Sequence, residues 1–270
     1  MGNPLFSIIN KESFMLGPIE TNVYHCLALL GVLSGLAVFF ILFLISAPYG
    51  RHTRAGWGPS INSRWGWILM EFPSPFVFLI CYVYGNGGRI SLTVFFAALW
   101  LMHYFHRVCI FPFRIHEQGK RTPLLIVFFA ILFNTFNGYL NGRYLGVYAD
   151  EYPWSWCADP RFVLGLFLFV AGVVINLHSD QILLNLRAPG EIGYKIPYGG
   201  LYRWLSCPNY FGELLEWTGW AIATWSLPGA VFAFWTAANL VPRAHTHHLW
   251  YHQQFPEYPP ERCAVLPFLF

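Results

Sequence analysis

Apolar residues run along this chain in long blocks, separated by short polar stretches. The blocks predict helices over about 23–45, 65–84, 91–111, 123–147, 161–178, 208–226 and a short 230–242. Roughly 20 apolar residues suffice for a helix to cross a bilayer. The pattern therefore predicts an all-α, polytopic membrane bundle of seven transmembrane helices. The first block is too long for a signal-peptide core and is read as a retained span. Pro228-Gly229 is expected to break the sixth helix from the seventh. No internal repeat or low-complexity segment stands out, and one membrane-embedded domain over residues 1–270 is expected.

The polar remainder sorts by side. Loops over about 46–64, 111–122, 179–208 and 243–270 hold most of the Lys and Arg. The opposite side takes the N-terminal lead with Lys11, Glu12 and Glu20, a loop with Arg89, and the acidic group Asp150, Glu151 and Asp159. The positive-inside rule then sets the N-terminus lumenal or outside and the C-terminus in the cytosol. Composition agrees: 56% of residues are hydrophobic, 11% are charged and the mean hydropathy is +0.45. A soluble domain carries about 25% charged residues. A net charge of +3, spread through loops, argues against a nucleic-acid partner. Six cysteines lie far apart without a CxxC. The histidines at 245, 247, 248 and 252 have no Asp or Cys at ligand spacing, so no metal is expected.

Candidate chemistry centres on residues 176–217. Asn209, Glu213 and Glu216, at i, i+4 and i+7, share one helical face, and Asn176 and Asp180 stand one turn apart. Arg187 and Lys195 follow on the loop. Amides and carboxylates suit ribose hydroxyls and a carboxamide, and cations suit a diphosphate. The same groups would equally serve as a polar network joining helices five and six. No GxGxxG occurs, so a Rossmann site is not supported. Glu71 lies inside an apolar helix, where an ionisable group marks either function or a helix-to-helix hydrogen bond. Tyr104, within His103-Tyr104-Phe105-His106-Arg107, is a donor toward a developing oxyanion or an interfacial anchor. Asn134, Asn137 and Asn141 fall on one face of the fourth helix.

These residues also carry a resemblance. Its motifs are His103 to Arg107, Asn176 to Asp180, Arg187, Pro189-Gly190-Glu191, Ile196-Pro197, Gly199-Gly200-Leu201 and Asn209-x-x-Gly212-Glu213-x-x-Glu216-Trp217. Glu151-Tyr152-Pro153 and Pro267-Phe268 add to them. Over about 45–270 the chain resembles the steroid 5-alpha-reductase family, and its steroid type 2 branch more than the polyprenol or enoyl-CoA reductases. The resemblance implies NADPH-dependent reduction of the 4,5 double bond of a 3-oxo-4-ene steroid of the testosterone or progesterone type. It implies Tyr104 and Glu71 as the catalytic pair at the carbonyl, and Trp67, Phe133 and Asn137 around the steroid. It implies Tyr49, Arg107, Lys120, Asn176, Asp180, Arg187, Lys195, Asn209, Glu213, His247 and Tyr251 as cofactor contacts. Lys120 and Lys195 stand where the family's steroid enzymes carry Arg, and apolar lining positions differ around Phe129 and Asn239.

The expected partners are a steroid entering from the bilayer and membrane lipid, with the protein working as a monomer. The expected location is the endoplasmic reticulum membrane in a eukaryote, or the inner membrane in a bacterium. Rival readings are a reductase of another lipid enone or a polyprenol, an isoprenylcysteine-type methyltransferase using S-adenosylmethionine, and a transporter. Arg187 and Lys195 argue against the methyltransferase, whose cofactor has no diphosphate. The lack of inverted repeats argues against many transporters.

Overall fold

The computed structural model describes residues 18–86, 90–115, 119–149, 152–188, 191 and 193–267. Lys11, Glu12, Arg89, Asp150, Glu151, Pro189, Gly190 and Phe268, named above, lie outside the described residues. The helices are α1 (Pro18–Leu44), α2 (Ser63–Glu71), α3 (Pro73–Asn86), α4 (Leu92–Phe105), α5 (Phe111–Arg114), α6 (Leu124–Arg143), α7 (Pro160–Asn185), α8 (Pro208–Thr224) and α9 (Leu227–Gln254). Two short antiparallel strands, β1 (Ser60–Asn62) and β2 (Arg121–Pro123), depart from an all-helical chain, with Ile61 opposite Thr122.

Five stretches are long and apolar enough to cross a membrane: Ile19–Leu44, Ser63–Asn86, Leu92–Arg114, Leu124–Tyr148 and Pro160–Asn185. Their outer faces carry large bare apolar side chains such as Leu29, Phe40, Phe129 and Val174. A continuous apolar surface of that kind is suited to lipid rather than water.

Several boundaries move from the expected ones. The second helix is broken at Phe72, where Pro73 removes a backbone donor, into α2 and α3. The third ends in a wider π turn over His106–Ile110 before α5. The fifth runs on to Asn185, so Asn176 and Asp180 are helical rather than at a helix end. The break before the last helix falls at Trp225 and Ser226. Pro228 instead sits in the first turn of α9, where no donor is needed, and Ser226 caps that turn by accepting from the Gly229 amide at 3.1 Å. The last helix does not stop at 242 but continues through Pro242 to Gln254, with the Pro242 carbonyl accepting from Thr246 Oγ1 at 3.0 Å. The expected tail histidines at 245, 247, 248 and 252 are therefore helical.

Two helix pairs are set by glycines. A Cβ on Gly172 would lie 2.4 Å from the Glu216 nitrogen and 2.5 Å from the Gly212 oxygen. Gly165 and Gly219 meet the same way one heptad along, so the α7 and α8 backbones touch. Gly138 and Gly142 of α6 rest on the Ser74 and Phe78 carbonyls of α3, each 2.5 Å from an added Cβ. The core between these pairs is aromatic, with Phe78, Phe96, Trp100, Tyr104, Trp217, Trp220 and Phe232 all buried. Trp220 Nε1 donates to Asn141 Oδ1 at 3.1 Å, which answers the polar atom such a core would otherwise penalise.

Candidate active site

The C-terminal ends of α1, α7 and α9 and the N-terminal ends of α2 and α8 meet at one end of the bundle. There they enclose a cavity of about 310 Å³. Its lining includes Tyr49, Arg51, Arg64, Trp67, Lys120, Arg187, Tyr194, Lys195, Tyr210, Arg243, His247 and Tyr251. No Asp or Glu lines it among the described residues. The cations crowd one ring: Arg51, Lys120 and Arg187 stand 5.4, 5.3 and 5.6 Å from the centroid of Tyr194. Arg51 also lies 4.6 Å from the Tyr251 ring, and its Nη1 is buried without a hydrogen-bond partner. Burial, then Arg187 and Arg51, push Lys120 below its ordinary value. Lys195 pairs with Glu191 at 2.5 Å on the rim.

On the far wall Arg243 lies 4.8 Å from the Tyr49 ring centroid and donates to the Tyr210 hydroxyl at 2.9 Å. Tyr210 meets His247 Nε2 at 3.2 Å, and His247 Nδ1 meets His52 Nε2 at 3.0 Å. Burial, with Arg51, Arg243 and Arg54 nearby, pushes His52 down to about 4. The unfolded chain thus takes up this proton first, so stability is full above about 6.5 and is lost as pH falls from there toward 4. Thermal unfolding measured across that window is expected to show a smaller acid loss in His52→Gln than in the parent. An identical pH dependence would remove His52 from the acid response.

A second group lies deeper. Arg107 donates to Glu71 Oε1 at 3.3 Å and stacks 4.5 Å from the Trp67 ring centroid, while Trp67 Nε1 donates to the Arg107 carbonyl at 3.1 Å. Trp67 thereby joins the cavity to the carboxylate. Asn176 Nδ2 donates to the Asn209 carbonyl at 3.0 Å, and Asn209 Nδ2 donates to Asp180 Oδ1 at 3.0 Å. This is the polar network between the two helices that the spacing had allowed, and the glycine contacts of α7 and α8 bring it together. Glu213 lies within electrostatic reach of Arg107 and Arg243. Glu216 turns elsewhere: it is buried and held 2.6 Å from His103 Nδ1.

Tyr104 is buried, 5.2 Å from Trp100 between ring centroids. Its hydroxyl is close to Ser74 and Asn137, and Glu71 is within electrostatic reach. Ser74 Oγ and Asn137 Nδ2 are buried and have no hydrogen-bond partner in normal geometry. Phe133 packs against the same aromatic core and stacks 4.2 Å from Trp235 of α9.

Of the residues expected from sequence, Tyr49, Trp67, Lys120, Arg187, Lys195, His247 and Tyr251 share the cavity. Glu71, Arg107, Asn176, Asp180, Asn209 and Glu213 form the inner polar group, and Tyr104 with Asn137 sits in the aromatic core. Arg51, Tyr194, Tyr210 and Arg243 were not expected. Their signal in the sequence was slight: an aromatic or a cation beside residues already singled out.

A helical membrane protein with a cation-lined cavity at one end and a buried phenol behind it is the class that fold and site define. The family model described as 3-oxo-5-alpha-steroid 4-dehydrogenase matches residues 120–270. The chain is 44% identical over 256 residues to the 3-oxo-5-alpha-steroid 4-dehydrogenase 1 of Macaca fascicularis, covering 93% of this chain and 95% of the relative. It is 43% identical to the enzyme of that name from Homo sapiens, covering 94% and 98% of the two chains. It is 40% identical to the steroid 5-alpha-reductase DET2 of Gossypium hirsutum, covering 93% and 98%. The chain belongs to the 3-oxo-5-alpha-steroid 4-dehydrogenase family, a family of oxidoreductases. These relatives leave the likeness to the type 2 branch an expectation.

Proposed function

We propose that this protein reduces the 4,5 double bond of a 3-oxo-4-ene steroid, of the testosterone or progesterone type, with NADPH as reductant. The observation that carries the reading is a buried phenol, Tyr104, beside the unpartnered Ser74 Oγ and Asn137 Nδ2 in an aromatic core, with a cation-lined cavity nearby. Buried polar atoms without partners are costly unless something bonds them, and a ketone oxygen in an apolar molecule is such a partner.

The cavity fits a phosphorylated dinucleotide. Three cations around one ring, the unpartnered Arg51 Nη1 and, among the described residues, a lining without carboxylates all favour a polyanion. Arg51, Lys120, Arg187 and Lys195 would hold its phosphates. Tyr49, Arg107, His247 and Tyr251 would flank it. Asn176, Asp180, Asn209 and Glu213 would meet its ribose and carboxamide groups. When bound, a reduced nicotinamide supplies a hydride to C5 of the steroid.

The chain's own groups prepare that carbon. Tyr104 donates to the C3 carbonyl oxygen, and Glu71, acting as the protonated acid with Oε1 on Arg107, donates to the same oxygen. Each donor at an oxyanion lowers the barrier by about 3 kcal/mol, because it is already in place when charge develops. The steroid enters from the bilayer and packs among Trp67, Phe133 and Asn137. The chain crosses seven times, as a monomer, with the cavity and C-terminus in the cytosol. The membrane is the endoplasmic reticulum of a eukaryote or the inner membrane of a bacterium.

The test is NADPH oxidation by the purified protein across a panel of enones. Steroid-dependent oxidation yielding the 5-alpha product is expected. No oxidation with any 3-oxo-4-ene, or binding of S-adenosylmethionine in preference to NADPH, overturns the reading. Arg51→Gln is expected to weaken NADPH binding about tenfold, roughly 1.4 kcal/mol, with steroid KM kept. The salt dependence of binding should become shallower, since a charge has been removed. Unchanged affinity and salt slope would take Arg51 out of the phosphate site.

A further inference from the structure

Resting on the reading above, one proton is still unassigned. Reducing a carbon–carbon double bond adds hydride to one carbon and a proton to the other. In a 3-oxo-4-ene that second carbon, C4, is bonded directly to the carbonyl carbon. Its proton donor must therefore stand beside the groups that grip the carbonyl oxygen. Tyr104 and Glu71 are both committed to that oxygen.

His103 is placed for the task. It precedes Tyr104 on α4, with ring centroids 5.0 Å apart. Its Nδ1 is 2.6 Å from Oε1 of Glu216, a carboxylate with 1% of its side chain exposed. Trp217 fixes the ring from a third side, edge to face at 4.6 Å. The other ring nitrogen has no hydrogen-bond partner among the described residues, and 9% of the side chain remains accessible. Glu71 of α2 is within electrostatic reach of this ring. The buried Glu216 carboxyl thus holds Nδ1 and leaves the other ring nitrogen free to face the site. His106, in the following π turn, is the other titratable group within electrostatic reach of this ring among the described residues.

We propose that His103, positioned by Glu216, gives the proton to C4. In that step the enolate π pair forms the C4–H bond, an imidazolium N–H bond breaks with its pair left on nitrogen, and the C3 carbonyl is restored under Tyr104. Water returns the proton to the ring between turnovers, while the Glu216 carboxylate stays as counter-charge throughout.

The experiment compares isotope effects in the full-length protein. His103→Gln is expected to lower kcat by about 100-fold, the usual worth of a placed acid, with steroid KM, NADPH affinity by tryptophan fluorescence, and the thermal unfolding midpoint kept. Proton transfer then limits the rate. The primary effect from deuterium on the transferred nicotinamide position falls toward unity, and the effect of heavy water on kcat grows. Glu216→Gln shows the same exchange of sensitivities with a smaller loss. A variant that keeps the primary effect with no added solvent effect, whatever its rate, overturns the assignment. If His103→Gln loses its unfolding transition, Glu216→Gln decides by the same criterion. Failure of the parent protein to oxidise NADPH with any 3-oxo-4-ene is a different result and strikes the underlying reading instead.

Discussion

Tyr104→Phe is expected to cut turnover by about 100-fold or more while the protein still folds and binds NADPH. The substitution removes one oxygen from a residue that is 3% exposed and leaves the ring in its place against Trp100. Packing therefore changes little, and the loss is confined to a hydrogen bond that matters most as charge reaches the carbonyl oxygen. In a low-dielectric core such a bond is worth about 3 kcal/mol, and the loss should appear in kcat rather than in steroid KM. Ser74 and Asn137 remain beside the site and account for residual activity. The measurement is single-turnover NADPH oxidation with saturating steroid. Turnover within a few-fold of the parent would show that the phenol does not hold the carbonyl.

Gly172→Val is expected to have the largest structural effect. The first added carbon meets the backbone of Glu216 and Gly212 at 2.4 and 2.5 Å, and backbone cannot swing aside as a side-chain tip can. Overpacking costs about 1–3 kcal/mol where side chains yield, so a rigid neighbour places this case at or above the top of that range. Total stability is only about 5–15 kcal/mol. Separation of α7 from α8 also pulls Asn176 and Asp180 away from Asn209, so NADPH binding should fall with the melting temperature. Val174→Leu, two residues along at a position 59% exposed on the outer face, is the control and should change neither. A Gly172→Val protein with the parent's melting temperature and NADPH affinity would refute the close helix contact.

Much of this was legible in the sequence because it is local. Apolar runs mark the helices without knowledge of their neighbours. The i, i+4 spacing of Asn176 and Asp180 places both on one face wherever the helix lies. Local rules misjudged Pro228 because a proline's effect depends on position within the helix, and that depends on where capping starts it. Ser226 starts α9 two residues before Pro228, which makes the proline harmless.

By itself, then, the amino-acid order determined an apolar helical membrane chain, the identity of its polar side chains and the family they resemble. The tertiary structure alone decided which of those side chains meet. His52 reaches His247 across 195 residues, and His103 reaches Glu216 across 113. Arg51, Lys120 and Arg187, from three separate segments, converge on Tyr194. Periodicity fixes the direction of a side chain relative to its own helix axis. Contact between helices depends on crossing points that glycines and aromatic packing set jointly, and no single segment carries that information.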